Sequence, residues 1–277
     1  MTHVTSIPSV VLKDGIEIPQ LGFGVFQVPP AETQEVVEEA LAAGYRHIDT
    51  AAAYRNEPGV GAAIAASDCN RDDLFITTKL WNSQQGYDST LRAFEKSLGR
   101  LGLDRVDLYL IHWPAPSEDR YVDTWRAFER IQERGLARSI GVSNFRIEDL
   151  ERLQREADYL PTINQIELHP RLQQTELRAW HVEHGIATEA YSPLAQARLF
   201  SEPTIETIAA HHDRTPAQTI LRWHLQLGNI AIPKSVTPER MRENIDLFDF
   251  ELSQDDMAVL ARLDSGERIG PDPSTFS

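Results

Sequence analysis

The stretch VDLYLIHW, residues 106–113, decides how the chain folds. Its apolar side chains Leu108, Tyr109, Leu110 and Ile111 stand on successive positions instead of alternating with polar ones. Side chains along a strand point to opposite faces by turns, so this run needs cover on both. Strands of that kind belong to parallel sheets flanked by helices. Working outward, seven more short, nearly uncharged runs share its character: LGFGVF (21–26), RHIDT (46–50), LFITTK (74–79), SIGVS (139–143), INQIE (163–167), IATEAY (186–191) and IAIPK (230–234).

Amphipathic helical patterns lie between them. PAETQEVVEEALAAG (30–44) opens on Pro30, carries Val36, Val37, Ala40 and Leu41, and stops at Gly44. STLRAFEKSLGRLG (89–102) aligns Leu91, Phe94 and Leu98, and YVDTWRAFERIQERG (121–135) aligns Trp125, Phe128 and Ile131 before Gly135. Eight strand–helix units with no Pro/Gly/Ser linker predict an α/β fold, one (β/α)8 TIM barrel over residues 1–277. A doubly wound sheet is the rival, but G-x-G-x-x-G after the first strand is missing. SVVLKDGIEIPQLG (9–22) predicts an N-terminal β-hairpin turning at Asp14-Gly15 and plugging the lower end of the barrel. Two extra helices are expected. One falls among the two patterns at 203–212 and 216–227, and the other at 253–263.

Composition sets outer limits. Of 277 residues, 41% are hydrophobic and 25% charged, as in a soluble globular protein. The net charge of −15 argues against nucleic acid or an anionic membrane as partner. One cysteine, Cys69, excludes a disulfide framework and a cysteine zinc cage. MTHVTSIPSVVLKDG lacks the basic start and apolar centre of a signal peptide, and no run approaches a membrane span. A cytoplasmic chain is expected. No heptad or strand edge demands association, so a monomer is expected too.

A barrel of this kind carries its active site at the C-terminal ends of the strands. There the sequence places Asp49 and, in the following loop, Tyr54; then Lys79 and His112. Singly each has a plain reading: an Asp caps helices, a loop Tyr packs, a strand-end Lys is solvated. Together they fit one task. A phenol near pKa ~10 is a weak acid at neutral pH, and an adjacent ammonium favours its phenolate. A carboxylate holds the ammonium, and a histidine can hydrogen-bond the oxygen being protonated. Such a group protonates a carbonyl while hydride arrives at carbon, and no side chain donates hydride, so a nicotinamide cofactor is implied.

A phosphate site is legible in PKSVTPERMREN (233–244), where Thr237-Pro238 reads as an N-cap and first helical residue beside Lys234, Ser235 and Arg240. TPAQTILRW (215–223) has the same Thr-Pro start with no ligand role, so capping alone proves nothing and the cations Lys234 and Arg240 make the case, favouring NADP over NAD.

GVFQVP, HIDTAAAYRNE, FITTKLW, DLYLIHWP, IGVSNF, NQIELHP, YSPL and IPKSVTPERMRENIDLFDFEL, in this order and spacing, resemble the aldo-keto reductase family, most closely the bacterial 2,5-diketo-gluconic acid reductases. The resemblance covers essentially the whole chain. It implies Tyr54 as general acid, Lys79 and Asp49 tuning it, and His112 orienting the carbonyl. It implies NADPH as cofactor: Ser143, Asn144 and Gln165 on the carboxamide, Tyr191 stacked on the nicotinamide, and Ser192, Pro193 and Leu194 opening the pyrophosphate loop. Lys234, Ser235 and Arg240 then surround the 2′-phosphate, Val236 and Thr237 belong to the same cofactor-binding stretch, and Glu243 and Asn244 lie near the adenine. Phe26, Trp81 and Trp113 resemble an aromatic substrate wall shared with His112. Small aldehydes, α-dicarbonyls and keto-sugars are the implied substrates. A cofactor-binding regulatory subunit, or an aldolase or isomerase on the same barrel, are the alternatives.

Two departures stand out. Thr237 occupies a place where diketo-gluconate reductases tend to be basic, implying looser NADP selectivity. Ala195 replaces a common glycine in SPLAQARLF (192–200). The short tail DSGERIGPDPSTFS (264–277) predicts an open pocket with Phe276 as partial lid, and Arg55 reads as a surface cation. No metal site is expected; His181 and His184 of HVEHG read as a solvated helix face, and His169, His211 and His212 add no ligand set.

Overall fold

The computed structural model describes residues 7–277. The first six residues, on which part of the signal-peptide reading falls, lie outside the described residues. Strands β1 (Ser9–Val11) and β2 (Glu17–Pro19) pair antiparallel, with Val10 opposite Ile18. Leu12 closes their turn by donating to Ile16 O at 2.8 Å, and Gly15 supplies the left-handed residue at φ +83°.

Eight parallel strands follow: β3 (Phe23–Gly24), β4 (His47–Asp49), β5 (Phe75–Leu80), β6 (Val106–Ile111), β7 (Ala137–Ser143), β8 (Ile163–Glu167), β9 (Ala187–Tyr191) and β10 (Ile230–Ala231). Each pairs with the next in sequence. The ring closes where Leu21 bridges Ala231, with Gly22 donating to Ala231 O at 2.9 Å. All six residues of β5 and all six of β6 are buried, the polar Thr77, Thr78, Lys79 and Asp107 included, as strands covered on both faces require.

The helices are α1 (Thr33–Ala43), α2 (Glu57–Ala66), α3 (Tyr87–Leu101), α4 (Tyr121–Glu133), α5 (Ile147–Glu156), α6 (Thr175–Glu183), α7 (Pro203–His211), α8 (Pro216–Gln226), α9 (Pro238–Ile245) and α10 (Gln254–Ala261). One follows each of β3 to β8, and two follow each of β9 and β10, so α7 and α10 are the extra pair. α1 starts at Thr33, later than Pro30, because Pro29 O accepts from Glu32 N and Thr33 Oγ1 and forms a turn first. Its end at Gly44 matches the sequence, with φ +109°.

The barrel interior has a floor and a polar middle. Leu12 and Ile18 of the hairpin pack with Phe75, Leu108, Leu110, Ile163 and Ile230, so the hairpin closes the lower end. Higher on the strands stand His47, Thr77, Gln165 and Glu189, all buried. Room for the His47 ring comes from Gly22, whose added Cβ would lie 2.4 Å from His47 Nδ1.

Ile18 is wholly buried in the floor. Ile18→Ala is expected to lower unfolding free energy by about 2–5 kcal/mol in urea titration. A loss below about 1 kcal/mol would mean that the hairpin is an appendage and not part of the core.

Candidate active site

The site begins with one buried lysine. Lys79 is wholly inaccessible, and its ammonium donates to Asp49 Oδ1 at 2.6 Å, Thr50 O at 3.0 Å and Tyr54 Oη at 3.5 Å. Those three bonds use all its protons. Burial pulls its pKa down, but Asp49 and Tyr54 outweigh that and leave it raised, so Lys79 stays charged.

Tyr54 stands on a 3-10 turn, Ala52–Tyr54, directly after β4. Asn56 ties that turn down: its Oδ1 accepts from Thr50 Oγ1 at 2.8 Å and its Nδ2 donates to Val25 O at 2.9 Å. Next to it, the buried Glu57 accepts from Thr78 Oγ1 at 2.6 Å and pairs with Arg100. Neither was given a role from sequence, although RNE directly after the tyrosine is a run of polar residues where a helix begins.

The acidity of Tyr54 differs from the sequence expectation. Lys79 does pull its pKa down, by charge and by hydrogen bond, but burial pushes up more strongly and the net shift is upward. The phenol is therefore protonated at neutral pH. His112, buried beside it with ring centroids 5.6 Å apart, is held well below the usual histidine range by burial and by Lys79. Its imidazole is neutral, and Nδ1 has no partner among the described residues.

A cleft of about 1540 Å³ opens over these groups. Phe26, Trp81 and Trp113 line its mouth, and Phe276 closes part of it, 4.5 Å from Trp113 and 6.2 Å from Trp81 between ring centroids. Arg55 is exposed at the edge. On the other wall, Ser143 Oγ donates to Gln165 O at 2.8 Å, Asn144 Nδ2 to Ser143 Oγ at 3.0 Å, and Tyr191 Oη to Asn144 Oδ1 at 2.8 Å. Gln165 Nε2 donates to Asp49 Oδ2 and Glu189 Oε2, both at 2.8 Å.

Beyond Tyr191 the cleft continues along Ser192, Pro193 and Leu194 to Lys234, Ser235, Val236, Thr237, Arg240, Glu243 and Asn244. Lys234 and Arg240 are exposed, and neither pairs with a carboxylate among the described residues. Thr237 is the N-cap residue of α9, but its hydroxyl caps nothing; Thr215 does cap α8, accepting from Gln218 N. The first amide groups of α9 are left to other acceptors. Glu243 Oε1 takes a bond from Thr215 Oγ1 at 2.6 Å.

The Aldo/keto reductase family model matches residues 20–265. This chain belongs to the aldo-keto reductase family. It is 57% identical over 270 residues to an aldo-keto reductase of Mycolicibacterium smegmatis, covering 98% of both chains. It is 52% identical over 275 residues to the methylglyoxal reductase DkgA of Yersinia pestis, covering 99% of each. A mutant of Gox0644 solved in complex with NADPH superposes with a TM-score of 0.94 at 48% identity, over 98% of this chain and 99% of that one.

Within this aldo-keto reductase the loop after β9 is strained. Ser192, Ala195, Gln196 and Ala197 all take positive φ, from +47° to +65°. Ala195 sits buried in the left-handed conformation that glycine adopts without penalty, at a cost of roughly 1–2 kcal/mol. The tail is held by Glu167, whose buried carboxylate accepts Ile269 N at 2.6 Å, Gly270 N at 2.8 Å and His169 Nε2 at 3.1 Å.

The histidine reading needs correction. His181 is not solvated: it is buried, bonded to Asn164 and Thr188, and pushed down to about 3 by burial. His184 stacks on Trp180 at 3.7 Å between centroids. His212 pairs with Asp256 across the α7–α10 contact, near His211.

Asn56→Ala strips buried partners from Thr50 and Val25. The variant is expected to lose about 2–4 kcal/mol of stability and to lower kcat as Tyr54 drifts from Lys79. Urea titration and steady-state kinetics check both; unchanged kcat would show that the turn holds itself.

Proposed function

We propose that this chain reduces aldehydes and ketones to alcohols with NADPH, the proton coming from Tyr54. The observation that carries the reading is the run Asp49–Lys79–Tyr54, closed by bonds of 2.6 and 3.5 Å and opening beside His112 into an aromatic cleft. The cofactor side fits a dinucleotide. Lys234 and Arg240, without a carboxylate partner among the described residues, flank a helix start that its N-cap side chain leaves uncapped, which suits a 2′-phosphate. Ser143, Asn144 and Gln165 offer polar groups suited to a carboxamide, and Tyr191 offers a flat face below Ser192–Leu194. Val236, Thr237, Glu243 and Asn244 line the adenosine end.

When bound, the nicotinamide supplies the hydride that goes to the carbonyl carbon. His112, neutral, directs the carbonyl oxygen toward Tyr54 by a hydrogen bond. Tyr54 gives its O–H proton to that oxygen, and the electron pair of the broken bond stays on the phenolate beside the Lys79 ammonium. Asp49 keeps that ammonium in place. In reverse the same groups oxidise a CH–OH group. Phe26, Trp81, Trp113 and Phe276 suit small, flat carbonyls, and the methylglyoxal reductase relative points to α-dicarbonyls. A monomer is the oligomeric state we propose, since no long apolar heptad in the sequence demands association. A single cysteine and a net charge of −15 support a cytoplasmic place, away from nucleic acid and membranes. Among the described residues no helix is long and apolar enough to cross a membrane.

The test is NADPH and NADH oxidation with methylglyoxal, phenylglyoxal and 2,5-diketo-gluconate. Tyr54→Phe is expected to lower kcat by about 10²–10⁴-fold while still binding NADPH. NADPH binding without turnover on any carbonyl would replace the reading by a regulatory subunit. Lys234→Ala or Arg240→Ala is expected to raise the NADPH KM about tenfold and leave that for NADH nearly unchanged. Equal effects on both would remove the 2′-phosphate assignment.

His112 is neutral across the working range, because its folded pKa is depressed. The rate is therefore expected to show no inflection near pH ~6.5 from this imidazole. An inflection there that disappears in His112→Asn would overturn the neutral role.

A further inference from the structure

One buried carboxyl group has no part in the chemistry above. Glu189 lies in the middle of β9, wholly buried, in register with Gln165 on β8. The Gln165 amide nitrogen donates to Glu189 Oε2 and Asp49 Oδ2, each at 2.8 Å. An amide nitrogen only donates and an amide oxygen only accepts, so the side chain has one stable orientation against these two acids. Its oxygen accepts no hydrogen bond among the described residues, and Gln165 lines the cleft. Asp49 is held at both oxygens, by Lys79 and by Gln165.

We propose that Glu189 is a positioning residue: by accepting one of the two amide bonds of Gln165, it turns the Gln165 oxygen to the cleft and fixes Asp49 on Lys79. The inference rests on the reading that Gln165 faces the carboxamide and that Lys79 serves Tyr54. A carboxamide bound there presents its N–H to an oxygen that is already aimed and pays no reorientation cost.

The charges around Glu189 define its state. From β4 come Asp49 and His47, the latter with Nε2 3.6 Å from Glu189 Oε1; from β5 comes Lys79; from β8 comes Gln165; Tyr54 lies at the rim. Lys79 is the one ammonium for two carboxyls in this group, and it bonds Asp49. Burial first, then the Asp49 charge, push Glu189 from the usual carboxylate range up to about 8. His47 is pushed down to about 3, chiefly by burial, and is neutral. Glu189 is therefore held toward its neutral form, with Oε2 accepting from Gln165 and Oε1 facing His47 Nε2 at 3.6 Å. Asp49 is then the single negative charge opposite Lys79. Because the folded pKa is raised, the stability linked to this proton is full below the unfolded carboxylate pKa. It is lost as pH rises through about 8.

Glu189→Gln keeps an acceptor for Gln165 and removes the titration; Glu189→Leu removes both. NADPH Kd is read by quenching of tryptophan fluorescence, kcat with methylglyoxal, and stability by urea titration from pH 5 to 9, with Tyr54→Phe alongside. Glu189→Leu is expected to weaken NADPH at least about tenfold and to lower kcat, and Glu189→Gln to recover the affinity to within about threefold. Glu189→Gln is also expected to flatten the fall in stability toward pH 8. Wild-type Kd and kcat in folded Glu189→Leu would overturn the proposal, as would a wild-type pH profile in Glu189→Gln. Where Glu189→Leu does not fold, Glu189→Ala replaces it, and a wild-type NADPH Kd in that variant overturns the proposal. A wild type that binds NADPH without turnover would instead fail the reductase reading, leaving the Kd comparison to judge Glu189.

Discussion

The rim of this barrel depends on burying one ammonium group. Removing Lys79 from water costs several kcal/mol, and that cost is offset only when each proton has an acceptor in good geometry. Asp49 Oδ1, Thr50 O and Tyr54 Oη are those acceptors, and all three come from β4 and the loop after it. The lysine thereby sets where that loop runs. Thr50 carries the constraint onward, since its hydroxyl meets Asn56 and Asn56 closes the turn under Tyr54. A cation whose protons are satisfied in one way only makes a precise support for the Tyr54 phenol.

Barrels of this class usually fill their interiors with branched apolar side chains. Here such packing stops at the floor made by Leu12, Ile18 and their neighbours. Above it, His47, Thr77, Gln165 and Glu189 form a polar layer connected to Asp49. Glycine makes room in both levels: a methyl group at Gly22 would strike His47 in the polar layer, and one at Gly141 would strike Ile163 of the floor, its backbone oxygen at 2.7 Å. The apolar floor keeps water from entering below. Electrostatic effects among the buried groups above it are correspondingly strong.

Much of this was legible in the sequence because parallel strands covered on both faces leave an unbroken apolar trace. β5 and β6 were readable for that reason, and so were Asp49, Lys79 and His112, which stand at or just beyond strand ends. Helix α2 was not, since EPGVGAAIAA is small and apolar all round and shows no stripe. Its glycines pack tightly; a Cβ on Gly61 would lie 2.2 Å from Leu101 O. The acidity of Tyr54 was misjudged because Lys79 is visible in the sequence and burial is not. His181 was misplaced for a like reason: it sits on α6, and its polar partners Asn164 and Thr188 lie on strands β8 and β9. Glu189 carried a faint signal, one acid inside the uncharged run IATEAY.

The attachment of the tail shows how a pocket wall can vary while its position is kept. Glu167 grips Ile269 and Gly270 by their backbone N–H groups, which every residue except proline possesses. Gly270 is tied to its identity, because a side chain there would meet Glu167 Oε2 at 2.8 Å, and Ile269 adds an apolar contact with the core. Residues beyond it, Phe276 among them, can be exchanged without loosening the grip. Selection can therefore remodel this wall in sequence, and an engineer can graft another onto the same two amides, while the barrel and Tyr54 stay untouched.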